Sequence, residues 1–242
     1  METTHTHSFS RAYRTTLDLP RWTIVRLVKP QSVAEHAYLV TLMCRSLVEM
    51  LDGLYRQYAD SPTHTYAEKL SIVELALTHD LPEVATGDMP SPLKKTGVVD
   101  EKELAAFETT VMREYFGIQV PEGECWEDKY TDYARAVVKV ADLAEAILKI
   151  TEEITLGNVG VERVQVGLVA FYDAAATKLA QMCAARIVPA KECSDIRDRF
   201  RHALIQYLAA SMRSEAYGGD GIKVSTELME KGLELLIKEM QI

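Results

Sequence analysis

The sequence predicts an all-α fold, and two observations carry that prediction. Apolar residues recur at three- and four-residue spacing over long segments separated by polar breaks, which is the pattern of amphipathic helices. Glycine and proline are sparse and dispersed, with 12 and 8 residues in 242, whereas folds built from many short strands need frequent turns. With 48% apolar and 26% charged residues, the composition is that of a globular protein.

Capping signals and apolar stripes locate the individual helices. The segment Ser32-Val33-Ala34-Glu35 has the spacing of a capping box, so a helix is predicted to begin there. The predicted helices cover about 32–51, 67–80, 100–117, 130–156, 161–185, 191–216 and 223–240. Residues 1–20 are expected to be frayed, and residues 52–66 to form a loop that exposes His64. We place a core in residues 1–160 and a C-terminal helical extension in residues 161–242, packed together as one structural domain.

Charge and cysteine usage restrict the compartment and the partners. The net charge of −9 argues against binding a nucleic-acid polymer, because phosphate backbones are bound by an excess of Lys and Arg. A small anionic substrate needs only a few basic residues that converge locally. The four cysteines form no CxxC pair, which indicates reduced thiols in the cytoplasm. No apolar run is long enough to span a membrane, and the N-terminus has no signal-like apolar core.

The end of the second predicted long helix carries more chemistry than a helix end needs. His79 and Asp80 are adjacent there, so both side chains can turn towards one ion where the helix stops. Pro82 lacks an N–H and disfavours further helix at this point. Glu83 follows Asp80 by three residues and lies near enough to sit over the same ion. We interpret this stretch as half of a metal site.

Two residues elsewhere in the chain can complete that site. His36 lies in the first turn of its helix, where a lone histidine is usually structural. Asp142 interrupts an apolar run, and a buried carboxylate is costly unless it is paired or bound to a metal. A salt bridge with Lys139, three residues earlier, is the ordinary explanation of Asp142. The alternative is that Asp142 is the fourth ligand of a site that also contains His36, His79 and Asp80.

The order of His36, His79-Asp80 and Asp142 resembles that of the HD-domain metal-dependent phosphohydrolases, in which these residue types lie on separate helices. The surrounding motifs resemble the bacterial 5′-deoxynucleotidase branch over about residues 18–157. Those motifs are Arg21-Trp22, Ser32-Val33-Ala34-Glu35-His36, Glu83, Thr86-Gly87-Asp88-Met89-Pro90, Lys94 and Lys139-Val140-Ala141-Asp142. The long loop at 52–66 and the C-terminal helices depart from that compact type of enzyme.

The resemblance implies an HD-domain helical bundle with one metal ion. His36, His79, Asp80 and Asp142 would hold a divalent cation, for which two imidazoles and two carboxylates suit Mn, Co, Fe or Zn, with Mg as a further candidate. Glu83 is the catalytic candidate that orients or deprotonates the attacking water. The resemblance also implies that the enzyme is a homo-oligomer.

The same resemblance assigns the residues that contact substrate. Arg21, Lys94 and Lys139 would neutralise phosphate. Asp88 would hydrogen-bond the deoxyribose. Trp22 would pack against the sugar or the base, with Ile24 also facing the pocket. Without the resemblance, core packing is the ordinary interpretation of the segment that contains Trp22 and Ile24.

The expected activity is removal of the 5′ phosphate from 2′-deoxynucleoside monophosphates, by attack of a metal-activated water on the phosphorus bonded to O5′. Phage dATP triphosphohydrolases are similar and share this chemistry, releasing deoxynucleoside and triphosphate. A non-catalytic nucleotide sensor is a third hypothesis, but no predicted ligand is missing. A purely structural helical bundle is the fourth.

Overall fold

The computed structural model describes residues 11–58, 63–89, 99–188 and 193–216. These residues form helices and loops without a β-strand, which confirms the all-α prediction. The helices are α1 (Arg11–Asp18), α2 (Val33–Tyr55), α3 (Tyr66–Thr78), α4 (Glu83–Thr86), α5 (Glu101–Phe116), α6 (Asp132–Thr155), α7 (Glu162–Ala185) and α8 (Ser194–Ala216). A 3₁₀ turn at Trp126–Lys129 precedes α6.

Helix α6 is the centre of the bundle. It packs against α2, α3, α7 and α8, and most of its residues are buried. One hydrophobic cluster joins Val140 and Ile147 of α6 to Leu47 of α2 and to Tyr172 and Phe200 of the C-terminal helices. Residues on both sides of position 160 therefore share a core, while the division into two segments stays a prediction. None of the described helices is long and apolar enough to cross a membrane.

The predicted capping box at the start of α2 is present. Ser32 Oγ accepts a hydrogen bond from the Glu35 backbone N–H, and the Glu35 carboxylate accepts one from the Ser32 N–H. An isolated antiparallel bridge pairs Pro20 with Ser32, and the Arg21 N–H donates to the Gln31 carbonyl over 2.9 Å. These bonds close the loop between positions 21 and 31 against the first turn of α2. The loop therefore lies next to His36.

Two local expectations are wrong. The N-terminal segment is helical from Arg11 to Asp18 and buries Thr16, instead of fraying throughout. Helix α2 continues to Tyr55, and His64 is buried with 5% exposure instead of facing solvent. His64 is held by buried Asp52, whose Oδ1 lies 2.7 Å from His64 Nδ1. The predicted helix over 223–240 lies outside the described residues.

Candidate metal centre

Two histidine rings point the same nitrogen at one position in the bundle. His36 is fully buried in the first turn of α2, and its ring centroid lies 5.4 Å from that of His79. His79 Nδ1 lies 2.8 Å from the Ala76 carbonyl oxygen, and His36 Nδ1 lies 2.5 Å from a carboxylate oxygen of Glu145. Each Nδ1 is therefore bonded inside the protein, and Nε2 is the nitrogen that faces the shared position. Among the described residues, neither buried Nε2 has a hydrogen-bond partner of acceptable geometry.

Two carboxylates converge on these nitrogens. Asp142 Oδ1 lies 3.3 Å from His36 Nε2. Asp80 Oδ2 lies 3.5 Å from His36 Nε2 and 3.4 Å from His79 Nε2. One donor atom from each of His36, His79 and Asp142 lies within 4.8 Å of the others. The four predicted ligands, which come from α2, the end of α3 and the middle of α6, are thus brought together.

The donor set fits a divalent cation. Two imidazole nitrogens and two carboxylates match transition-metal ions and Zn2+, and an orphaned buried Nε2 is costly without a ligand. The bonds at Nδ1 orient both rings, as carbonyls and carboxylates do for metal-bound histidines in general. The assignment of His36, His79, Asp80 and Asp142 as ligands remains a prediction that this geometry supports.

Electrostatics at this cluster favour a bound positive charge. Burial and the Arg21 guanidinium lower the pKa of His36, but the carboxylates of Asp142 and Glu145 outweigh them and raise it to about 9. Burial raises the pKa of Asp142, but Lys139 and the two histidines hold it well below its ordinary value. A proton on His36 therefore satisfies the carboxylates in the metal-free protein.

Local sequence explains how these side chains reach one point. Helix α3 ends at Thr78, so His79 and Asp80 fall in the turn that follows it. The next turn, α4, begins at Glu83, and Pro82 occupies its N-cap position without making a side-chain capping bond. Glu83, three residues after Asp80 in the sequence, is the first residue of α4 and is 7% exposed. The break in the helix that Pro82 predicts is therefore a short turn that connects α3 to α4.

Two predicted cations reach the carboxylates directly. Arg21 Nη1 lies 3.0 Å from Asp80 Oδ2, and Lys139 Nζ lies 2.7 Å from Asp142 Oδ2. The Asp142 charge raises the pKa of Lys139, since it outweighs the cost of burial. The salt bridge with Lys139 and a role as metal ligand are therefore compatible, because Asp142 pairs with Lys139 through Oδ2 and faces His36 through Oδ1.

The remaining predicted substrate residues are placed differently. Asp88 Oδ2 accepts hydrogen bonds from the backbone N–H groups of Trp22, over 2.5 Å, and Thr23, over 3.4 Å. Ile24 is 68% exposed, so packing in the core is wrong for this residue. Lys94 lies outside the described residues. The structure therefore joins Asp88 to Trp22 and does not bury Ile24.

A cavity of about 420 Å³ opens beside the candidate ligands and is lined by His79, Asp80 and Asp142. Its wall contains Lys139 together with two further basic residues, Arg135 and Lys178. The volume lies within the range of small-molecule sites. Sequence reasoning named neither of the two further cations, because nothing in the sequence indicates that they face this space.

Sequence reasoning also missed Glu145. This residue is 3% exposed, lies three positions after Asp142 on α6, and contacts His36. Like Asp142, Glu145 is a carboxylate inside an apolar run, and this position is the signal that could have identified it. Its partner Gln31 had no signal in the sequence.

A family model described as 5′-deoxynucleotidase YfbR-like matches residues 8–190. The chain belongs to this family. It is therefore an HD-domain phosphohydrolase, which confirms the resemblance inferred from the motifs. The match extends beyond position 160 and covers all of α7, so the family similarity is longer than the 18–157 that the motifs indicated.

The curated relatives of this chain include two kinds of enzyme. The 5′-deoxynucleotidase YfbR of Escherichia coli O127:H6 is 30% identical over 158 residues, which are 63% of this chain and 75% of that protein. The dATP triphosphohydrolase of cyanophage S-2L is 35% identical over 130 residues, which are 54% of this chain and 62% of that protein.

Two solved structures share the fold. The cyanophage S-2L HD phosphohydrolase DatZ, bound to dA and one catalytic Zn2+ ion, has a TM-score of 0.53 at 23% identity and covers 86% of this chain and 98% of its own. An HD-domain phosphohydrolase from Listeria innocua has a TM-score of 0.52 at 17% identity, covering 91% and 96%. These likenesses confirm the predicted HD-domain helical fold.

Proposed function

We propose that the protein is a metal-dependent 5′-deoxynucleotidase that removes the 5′ phosphate from 2′-deoxynucleoside monophosphates. The observation that carries the proposal is the convergence of two orphaned, buried imidazole nitrogens with the carboxylates of Asp80 and Asp142 beside a cavity. Two cations, Arg21 and Lys139, contact those carboxylates. A phosphate group bound there would meet positive charge on more than one side.

The predicted ligands would hold one divalent cation, which supplies Lewis-acid activation of a water and of a phosphoryl oxygen when bound. His36 and His79 contribute Nε2, since each Nδ1 is already bonded inside the protein. Asp80 and Asp142 contribute carboxylate oxygens. Mn, Co, Fe and Zn suit this set best, and Mg belongs in the same test.

The chain's own groups account for the transfer of the proton and the charge. We assign Glu83 to the attacking water, because it is buried beside the His79-Asp80 turn and a carboxylate can orient a water and take its proton. The water oxygen then bonds to phosphorus, the bond from phosphorus to O5′ breaks, and the leaving O5′ takes up the proton that Glu83 received from the water. Arg21 and Lys139 neutralise charge on the phosphoryl oxygens.

Substrate recognition is assigned to Trp22 and Ile24 of the 21–31 loop, to Asp88 and to Lys94. Trp22 packs against sugar or base, Asp88 bonds the deoxyribose, and Lys94 adds a charge for the phosphate. Ile24 is exposed beside Trp22 and is available to a nucleotide. A homo-oligomeric assembly remains part of the proposal and is measured by sedimentation.

A dNTP triphosphohydrolase is the second candidate, and the cavity wall favours its inclusion. Arg135 lies four residues before Lys139 on α6, so both project from one face and a polyphosphate would meet a second cation one turn away. However, Asp132 also lines the cavity, and its Oδ1 lies 2.6 Å from Arg135 Nη2. Arg135 is paired with an acid in the same way as Lys139, so the cavity wall does not rank the two candidates. The monophosphate is placed first because the matching family model is that of a 5′-deoxynucleotidase.

The test is a screen of all four dNMPs and dNTPs, with ribonucleotides for comparison, in the presence of Mn, Co, Zn or Mg. Products are separated by chromatography. Deoxynucleoside and inorganic phosphate from dNMPs support the proposal. Intact tripolyphosphate from dATP, with no release from dAMP, establishes the second candidate instead.

Variants separate the enzyme from the sensor and structural hypotheses. Asp142→Asn and His79→Ala should abolish turnover and reduce the bound metal. His202→Ala, at an exposed histidine of α8, is the matched control and should change neither. Nucleotide binding without turnover under any metal would establish a sensor. Unchanged metal content in Asp142→Asn and His79→Ala would contradict the site itself.

A further inference from the structure

A buried chain of hydrogen bonds connects the Trp22 side chain to His36. Glu145 is the central residue of this chain, and both of its carboxylate oxygens are used. Oε2 lies 2.5 Å from His36 Nδ1, and Oε1 accepts a bond from Gln31 Nε2 over 2.6 Å. Gln31 Oε1 in turn accepts a bond from the Trp22 indole Nε1 over 3.1 Å.

The chemistry of the two ends fixes the orientation of Gln31. An ionised carboxylate only accepts hydrogen bonds, and an indole N–H only donates them. The Gln31 amide must therefore turn its NH₂ group to Glu145 and its carbonyl oxygen to Trp22. A glutamine satisfies both partners at once, whereas a glutamate would oppose the Glu145 carboxylate and a methionine would satisfy neither.

Trp22 is held in an unusual conformation at the outer end of the chain. Its φ is +64°, in the left-handed region that residues with a side chain rarely adopt. Asp88 binds its backbone N–H, and Gln31 binds its indole. The neighbouring Arg21 contacts Asp80 directly. Residues 21 and 22 are thus attached to two different candidate ligands, one directly and one through Gln31 and Glu145.

We propose that Glu145 and Gln31 are positioning residues that couple the orientation of His36 to that of Trp22. Glu145 holds the His36 proton on Nδ1 and keeps Nε2 aimed at the metal position. Gln31 links Glu145 to the indole of Trp22, so a change in the orientation of His36 changes the position of the indole that faces the nucleotide. The assignment of Trp22 to substrate rests on the proposed function, whereas the coupling itself is a property of the folded chain.

The first test measures metal affinity by calorimetric titration of Zn2+ or Co2+ into the metal-free protein. Glu145→Gln should weaken binding by about 10- to 100-fold, the usual effect of losing a carboxylate that supports a histidine ligand. Glu153→Gln is the matched control, because Glu153 is also a fully buried glutamate of α6 but holds the backbone N–H groups of Val28 and Lys29. It should lower thermal stability and leave metal affinity unchanged.

The second test follows the two tryptophans, Trp22 and Trp126, by fluorine NMR of fluorotryptophan-labelled protein. Trp22→Phe assigns the two resonances. Addition of Zn2+ should shift the Trp22 resonance in the native chain, and this shift should be lost in Gln31→Met. Since Gln31 lies outside the α-helices, this variant tests the chain of bonds even if Glu145→Gln fails to fold.

The results distinguish failure of the inference from failure of the proposed function. Native metal affinity in folded Glu145→Gln, an equal loss in Glu153→Gln, or an undiminished Trp22 response in Gln31→Met would overturn the coupling. Neither measurement requires turnover. A protein that hydrolyses no nucleotide but shows both expected effects would contradict the proposed function and leave the coupling intact.

Discussion

His36 Nδ1 and Glu145 Oε2 lie 2.5 Å apart, although the two residues are 109 positions apart in sequence. The contact crosses from the first turn of α2 to the middle of α6, and both side chains are buried. A buried carboxylate that touches a histidine in this way fixes which ring nitrogen carries the proton. It also means that the geometry of the candidate metal centre depends on how α2 packs against α6.

Glu83→Gln should remove most of the activity without removing the metal. If Glu83 takes the proton of the attacking water, its amide analogue cannot, and kcat should fall by about 10²- to 10⁴-fold. Metal affinity should stay native, because Glu83 is not one of the predicted ligands. Steady-state kinetics and metal titration on the same preparation make the comparison.

The matched control for this prediction is Glu114→Gln, at an exposed glutamate of α5, which should behave as the native protein. Native kcat in Glu83→Gln would rule out the assignment of Glu83 to the water. Loss of metal would instead make Glu83 part of the binding site.

The metal-free protein should lose stability as pH rises from 6.5 to 9. The pKa of His36 is raised from 6.5 to about 9, so the folded state binds this proton more tightly than the unfolded state does. The resulting stabilisation is fully present below pH 6.5 and is lost as pH rises through 9. It amounts to at most about 3 kcal/mol. Urea unfolding in the presence of a chelator measures it.

Two comparisons isolate His36 in that experiment. The pKa of His64 is lowered, chiefly by burial, so the contribution of His64 is complete above pH 6.5 and does not change across this range. His36→Gln should remove the loss, and saturating Zn2+ should suppress it because a cation replaces the proton. An equal free energy of unfolding at pH 6.5 and at pH 9 in the metal-free native protein would contradict the prediction.

The sequence predicts those parts of the centre whose signals are local. His79-Asp80 stands at a helix end, Asp142 interrupts an apolar run, and a capping box places His36 in a first turn. Each is recognisable within a few residues, and helical periodicity then suffices to bring them to one bundle. The structure places all four ligand candidates at one point, as the resemblance implied.

Contacts between distant segments cannot be predicted in this way. The bond from Gln31 to Glu145 spans 114 positions, and no local pattern indicates that a loop amide will meet a helix carboxylate. The prediction that His64 is exposed is wrong for the same reason, since its burial depends on Asp52 and Tyr133 from two other segments. A polar loop residue is ordinarily exposed, and only tertiary packing reverses that expectation.

Asp52→Ala should destabilise the fold and spare the metal centre. Asp52 is 1% exposed and accepts bonds from His64 Nδ1 over 2.7 Å and Lys69 Nζ over 2.6 Å. Its removal leaves the buried His64 without an acceptor, whereas Lys69 is partly exposed and can be solvated, so the free energy of unfolding should fall by about 1.5–3 kcal/mol. Chemical denaturation measures the loss, and Asp198→Ala, at an exposed carboxylate, provides the comparison.

The same Asp52→Ala preparation should bind Zn2+ with native affinity below its unfolding temperature. Asp52 makes none of its bonds to a candidate ligand. A weakened metal site with full thermal stability would be the opposite of the expected pattern and would mean that this buried network supports the centre.

Asp88→Ala should weaken substrate binding, because Asp88 holds Trp22 of the 21–31 loop in place. Asp88 Oδ2 accepts hydrogen bonds from the backbone N–H groups of Trp22 and Thr23, and these bonds hold Trp22 at its positive φ. A hydrogen bond to a charged group contributes about 1.5–3 kcal/mol, so KM for the dNMP should rise about tenfold or more. Metal affinity should be unaffected, and Asp88→Asn, which keeps a carbonyl acceptor, should recover part of the loss.

Kinetics with matched deoxy- and ribonucleotides then separate two contributions of Asp88. Release of the Trp22 loop raises KM for both sugars equally, because it does not involve the 2′ position. A direct bond from Asp88 to the deoxyribose, as the resemblance implies, adds a fall in the preference for deoxynucleotides. Unchanged KM in Asp88→Ala would contradict both contributions, whereas a raised KM with an unchanged sugar preference would restrict Asp88 to holding Trp22.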